Sequence, residues 1–234
     1  MIPYRGDVPI YRFPWLTLVL IVANVAVFAY QLTLGPTELL ELVDTWGAVP
    51  AQITGSMSEQ PWAVWSWMAP SITSMFIHGG LWHLALNMLI LWAFGEAVEN
   101  GIGRGKYFFI YMLAGLGAVL AQTLFIPGSE IPMIGASGAI AGVMGMYILM
   151  YPLSDMKFYF PPFFVFKISA MVLVFAWFFY QIMAGVTVGP VQALVGGVAW
   201  WAHVGGFVIG VATHLLIARE AVHWSDEQPH QRGG

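Results

Sequence analysis

Not one cysteine occurs among the 234 residues, and only 9% of the chain is charged. The first absence excludes disulfides, thiol nucleophiles and Cys-ligated metals. The second excludes a water-soluble fold, because an average soluble domain is about 25% charged and needs that charge to cover its surface. Basic blocks are missing as well. With a net charge of −4 and no cationic stripe, nucleic acid is not an expected partner. The short alternating segments of a membrane β-barrel are also absent. What the chain has instead is apolar bulk: 59% hydrophobic residues and a mean hydropathy of +0.76, in long continuous runs. These predict an all-α polytopic membrane protein folded as one helical bundle.

Six transmembrane helices are expected, at about 14–34, 80–98, 106–126, 137–151, 163–184 and 194–217. Residues 1–13 read as a polar cytoplasmic leader and 218–234 as a polar cytoplasmic tail. The first run is too long for a signal-peptide core and reads as a retained anchor. Pro14 suits a first helical turn, and Gly35-Pro36 ends that helix. Residues 36–70 break the pattern. They are acidic and amphipathic at first, then carry Trp46, Trp62, Trp65 and Trp67. Trp prefers the headgroup layer, so this stretch is expected to lie along one membrane face.

With six spans, all eight basic residues fall on one side: Arg5, Arg12, Arg104, Lys106, Lys157, Lys167, Arg219 and Arg232. The opposite loops carry only acids. By the positive-inside rule both termini are cytoplasmic, in what reads as a cell inner membrane of bacterial or archaeal type.

Polar side chains at membrane depth are costly and mark function. Those here are His78, His83, Asn87, Ser137 and His203. At a rise of about 1.5 Å per residue, Ser137 lies roughly 8 Å below the extracytoplasmic surface. His83, Asn87 and His203 fall at roughly 5, 10 and 13 Å. His83 and Asn87 are i, i+4 neighbours on one face. Gly138, Gly142 and Gly145 line one face of the fourth span, and His203, Gly206 and Gly210 one face of the sixth. Two such small-residue faces pack closely, which sets His203 beside Ser137.

A serine hydroxyl is a weak nucleophile until a neutral imidazole accepts its proton. Ser137 also opens a helix, where free N–H groups stabilise an oxyanion. His83 and Asn87 can donate to the same oxyanion. No acid lies at that depth, so the expected unit is a Ser-His dyad rather than a triad.

Taken together, Gly135-Ala136-Ser137-Gly138, His78…His83-x-x-x-Asn87 and His203-x-x-Gly206-x-x-x-Gly210 resemble the rhomboid intramembrane serine proteases. Met75–Gly80 and Phe94–Glu99 continue the likeness, which covers roughly residues 70–212. The resemblance implies Ser137 as nucleophile and His203 as base. It implies an oxyanion hole of His83, Asn87 and the Ser137 amide, His78 in support, and Glu99 as a structural acid. The fifth span would be a lateral gate and the loop near Val186–Val195 a cap over the site. Many relatives carry an aromatic residue four positions after the serine, stacked on the imidazole. Here that position is Ala141, so the ring is held by another group or held less firmly.

The expected partners are transmembrane protein substrates and membrane lipid; no cofactor and no metal is expected. Two other classes compete. One is a catalytically inactive rhomboid-like protein that binds membrane clients, though such relatives lose the serine or histidine. The other is a metal or haem protein using His78, His83 and His203, for which no ligand motif exists.

Overall fold

The computed structural model describes residues 2–160, 164–188 and 197–217. A strand, β1 (Ile2–Gly6), leads into α1 (Trp15–Gln31). Three short helices follow: α2 (Pro36–Trp46), α3 (Pro50–Glu59) and α4 (Val64–Thr73), the last continued by a 3-10 turn at Ser74–Phe76. Then come α5 (Leu81–Ile102), α6 (Arg104–Phe125) and α7 (Ser137–Met150). Strands β2 (Asp155–Phe160) and β3 (Phe164–Ser169) precede α8 (Ala170–Thr187) and α9 (Trp200–Ile217).

The all-α expectation holds for the bundle, with nine α-helices among the described residues. Three of them, α5, α6 and α8, are long and apolar enough to cross a membrane. Helices α1, α7 and α9 are apolar but shorter. At 14 residues, α7 rises only about 21 Å. It is also the centre of the molecule. Every residue from Gly138 to Ile148 on it is buried, against α9, α6 and α5.

The close packing of α7 on α9 rests on glycine. A Cβ at Gly206 would run into the Gly138 carbonyl, and one at Gly210 into the Gly142 carbonyl. The helices approach backbone to backbone, as small-residue faces in membranes do. Both glycine faces read from the sequence are therefore the ones in contact.

Between α5 and α6 stands only Gly103, at φ +81. That left-handed conformation costs glycine little and lets the chain reverse in one residue.

Two expectations need correction. Residues 2–6 are not a loose leader: β1 pairs antiparallel with β2, which pairs antiparallel with β3. The fifth expected span begins, as α8, at Ala170 rather than 163, because 164–169 are strand. Hydropathy alone extended the span through Phe164-Val165-Phe166, yet aromatic and β-branched residues are strand formers too. Alternation was the clue: Met156 and Phe158 are buried, while Lys157 between them is not. The sheet also aligns Arg5, Lys157 and Lys167 in one cross-strand row. Residues 36–70 are largely helical, with Pro36 and Pro50 in first turns. Trp62 and Trp65 there are well exposed. Glu96 and His214 are both buried. The tail beyond 217 and most of the loop near Val186–Val195 lie outside the described residues.

Candidate active site

Three helices begin at one end of the bundle, α5, α7 and α9, and their first turns converge. Ser137 is the first residue of α7. Its Oγ lies 2.8 Å from His203 Nε2, one turn into α9. With Nε2 unprotonated, the hydroxyl donates to the ring.

The chain before Ser137 is pinned on both sides. Met133 and Ala48 exchange backbone hydrogen bonds of 2.8 and 3.0 Å, and the Gly135 N–H donates to the Ser74 carbonyl at 2.8 Å. Gly135 sits at φ +118. A Cβ there would meet the His83 ring at 2.8 Å, so this glycine is required both by backbone and by space.

His83 and Asn87 face the same point from α5. Gly79 N–H approaches His83 Nδ1 at 3.4 Å; an acceptor at Nδ1 leaves the proton on Nε2, free to donate toward the cavity. The Asn87 side-chain amide nitrogen is buried without a partner. A buried unused donor is expensive, and such a group at a site entrance is available to a ligand. His78 lies behind, its ring 5.0 Å from that of His83 in edge contact. Gln31 of α1 clamps the His78 backbone through bonds of 3.0 and 2.9 Å.

Glu99 lies at the far end of α5, away from the serine. Its carboxylate accepts from the N–H groups of Leu16 and Thr17 and from the Thr17 hydroxyl. It thus caps α1, where negative charge suits free N–H groups.

Ser137, His83, Asn87 and His203 open onto one cavity of about 670 Å³. Its wall continues between α5 and α8 through Ile90, Leu173 and Trp177. Among the described residues, no group of three His, Cys, Asp or Glu is placed to hold a metal ion.

Two residues at the site were not anticipated. Gln181 on α8 places Oε1 2.7 Å from His203 Nδ1. Trp177, one turn earlier, sets its ring 5.7 Å from the imidazole at 39°. The signal for Gln181 was present: an amide inside an apolar helix is as costly as a buried serine. The same holds for Gln122, whose Oε1 accepts from the Ala202 N–H at 3.2 Å.

Fold and site define a membrane-embedded helical bundle that holds a serine–histidine pair near one end. Residues 61–220 match the Rhomboid domain family, and the chain belongs to the rhomboid family. It is 41% identical over 88 residues to Rhomboid protease GluP of Bacillus subtilis, covering 38% of this chain and 17% of that protein. It is 28% identical over 152 residues to Rhomboid protein 1, mitochondrial, of Saccharomyces cerevisiae, covering 63% and 41%. It is 26% identical over 171 residues to the presenilin-associated rhomboid-like protein, mitochondrial, of Bos taurus, covering 69% and 41%. The matches thus span less than half the length of these relatives.

The mitochondrial relatives overturn the placement in a cell inner membrane. Charge asymmetry orients a bundle within a bilayer but carries no information about which bilayer. A multi-pass membrane protein is what stands.

Proposed function

We propose that this protein is a serine endopeptidase that cleaves membrane-spanning proteins through an acyl-enzyme. The observation that carries this reading is the 2.8 Å contact between Ser137 Oγ and His203 Nε2, at the wall of a cavity that Asn87 and His83 share.

In the first half-reaction Ser137 Oγ attacks the substrate carbonyl carbon while its proton passes to His203 Nε2. The carbonyl oxygen becomes an oxyanion, accepted by the Ser137 N–H, the Asn87 amide and His83 Nε2–H. Collapse breaks the C–N bond, and His203 returns the proton to the departing amine. A water then attacks the ester, gives its proton to His203, and the released serine takes that proton back. Ser137, His203, His83 and Asn87 are the residues assigned to the chemistry. Gly135, Gly138, Gly206, Gly210, His78 and Glu99 support it through the packing and capping described above.

Substrate is taken to enter between α5 and α8. Among the described residues, helix α8 packs chiefly on α9 and far less on α5, and the cavity runs between α5 and α8. An extended bond must reach Ser137, so substrates with helix-breaking Gly or Pro near the cut are favoured.

Reaction with a fluorophosphonate probe tests the reading. Wild-type protein is expected to be labelled at Ser137, Ser137→Ala and His203→Ala are expected to be unlabelled, and both variants are expected to leave a model membrane substrate intact. Normal cleavage by folded Ser137→Ala would overturn the assignment.

A further inference from the structure

His203 has two ring nitrogens, and only one can serve Ser137. Which one is determined by what holds the other. Nδ1 meets Gln181 Oε1 at 2.7 Å, and a carbonyl oxygen only accepts. With the Gln181 amide in this orientation Nδ1 carries the proton, which leaves Nε2 as the lone-pair nitrogen facing Ser137 Oγ. The reverse arrangement, with the Gln181 amide donating to Nδ1, would put a proton on Nε2 and disable the base.

The Gln181 side chain is placed for this one task. The residue is 2% exposed on an apolar helix. It shares a face with Trp177 at i, i+4, whose ring is tilted against the same imidazole. Ala141 of α7, four positions after Ser137, is buried and has no ring to stack. Apart from the Ser137 contact, the base is held from α8.

We propose that Gln181 is a positioning residue that fixes His203 in the Nδ1–H form, and that through it α8 governs whether the dyad is assembled. This rests on the serine protease reading for its consequence in turnover, but not for its geometry. Because α8 is also the helix beside which substrate enters, its outward displacement breaks the Gln181 bond and releases the ring. Its return restores both. Site assembly and substrate passage are then coupled by one side chain.

Two measurements test this. Nitrogen-15 spectra of protein labelled in histidine, with the His203 signals identified by their loss in His203→Ala, report the tautomer directly. Wild-type His203 is expected to carry its proton on Nδ1, and Gln181→Leu is expected to mix the two forms. General-base assistance is worth about 10²–10⁴ in rate, so an ill-held ring lowers kcat by about 10–100-fold with KM little changed. Gln181→Glu keeps an acceptor of the same reach. It is expected to restore the Nδ1–H form and to bring kcat within about tenfold of wild type. A wild-type spectrum with the proton on Nε2 overturns the proposal without any variant being needed. So does folded Gln181→Leu with wild-type kcat and tautomer. Should wild-type protein show Nδ1–H, lose it in Gln181→Leu, and yet leave Ser137 unlabelled by fluorophosphonate, the hold on the ring is supported and the protease reading fails.

Discussion

Thr17 gives Glu99 both its backbone N–H, at 2.7 Å, and its hydroxyl, at 2.8 Å. Leu16 adds a third bond at 3.0 Å, to Oε1, and Arg104 Nε lies 3.5 Å from that same oxygen. Room for Thr17 is made by Gly95, where a Cβ would meet the threonine side chain at 3.1 Å. One acid on α5 thus anchors the start of α1, on the side of the molecule opposite Ser137.

Glu99→Ala is accordingly expected to destabilise the fold without touching the chemistry. Orphaned buried donors cost about 1–3 kcal/mol. A lower Tm in detergent, with fluorophosphonate labelling of Ser137 retained well below it, is the expected pair of results. Loss of labelling in fully folded protein would contradict a purely capping role.

Gly206→Ala is expected to be far more damaging than its one added methyl suggests. The new Cβ would strike the Gly138 backbone, which cannot rotate away, so α7 and α9 must separate and carry His203 from Ser137. Gly105→Ala in α6 is the matched control. Nothing lies within 4 Å of its Cβ position, and alanine is the better helix former by about 0.5–1 kcal/mol. Thermal melts and turnover of both variants check this. Equal behaviour of the two would refute the packing argument.

Asn87→Ala is expected to lower turnover without abolishing it. Removing one oxyanion donor typically costs about 10²–10³ in rate, while Ser137 and His203 stay in contact. Because the Asn87 amide nitrogen is already unpartnered in the fold, the variant is expected to melt no lower than wild type. An unchanged kcat would remove Asn87 from the site.

The depth argument in the sequence was enough to pair Ser137 with His203 and to put His83 and Asn87 in the same cavity. It worked because a hydroxyl, an imidazole or an amide in hydrocarbon has few excuses. The same argument applied to Gln31, Gln122 and Gln181 would have found the clamps on His78, Ala202 and His203. The sheet was less legible. Phe158, Val165 and Phe166 satisfy a hydropathy window as well as a strand pattern, and β1 has meaning only through a partner far away in the chain. Ala141 gave half an answer, the missing ring, while the replacement Trp177 sits on another helix, which no local spacing reveals.

The pairing of Ile2 with Tyr159 has a consequence for biosynthesis. Translation delivers the amino-terminal strand first, yet its hydrogen-bonding edge has nowhere to go until α7 and the residues after it have left the ribosome. Closing so long a loop is entropically slow. Docking of β1 is therefore a late event, a fastening applied to helices already threaded into lipid, and the edge of β2 stays open to other extended segments until it happens.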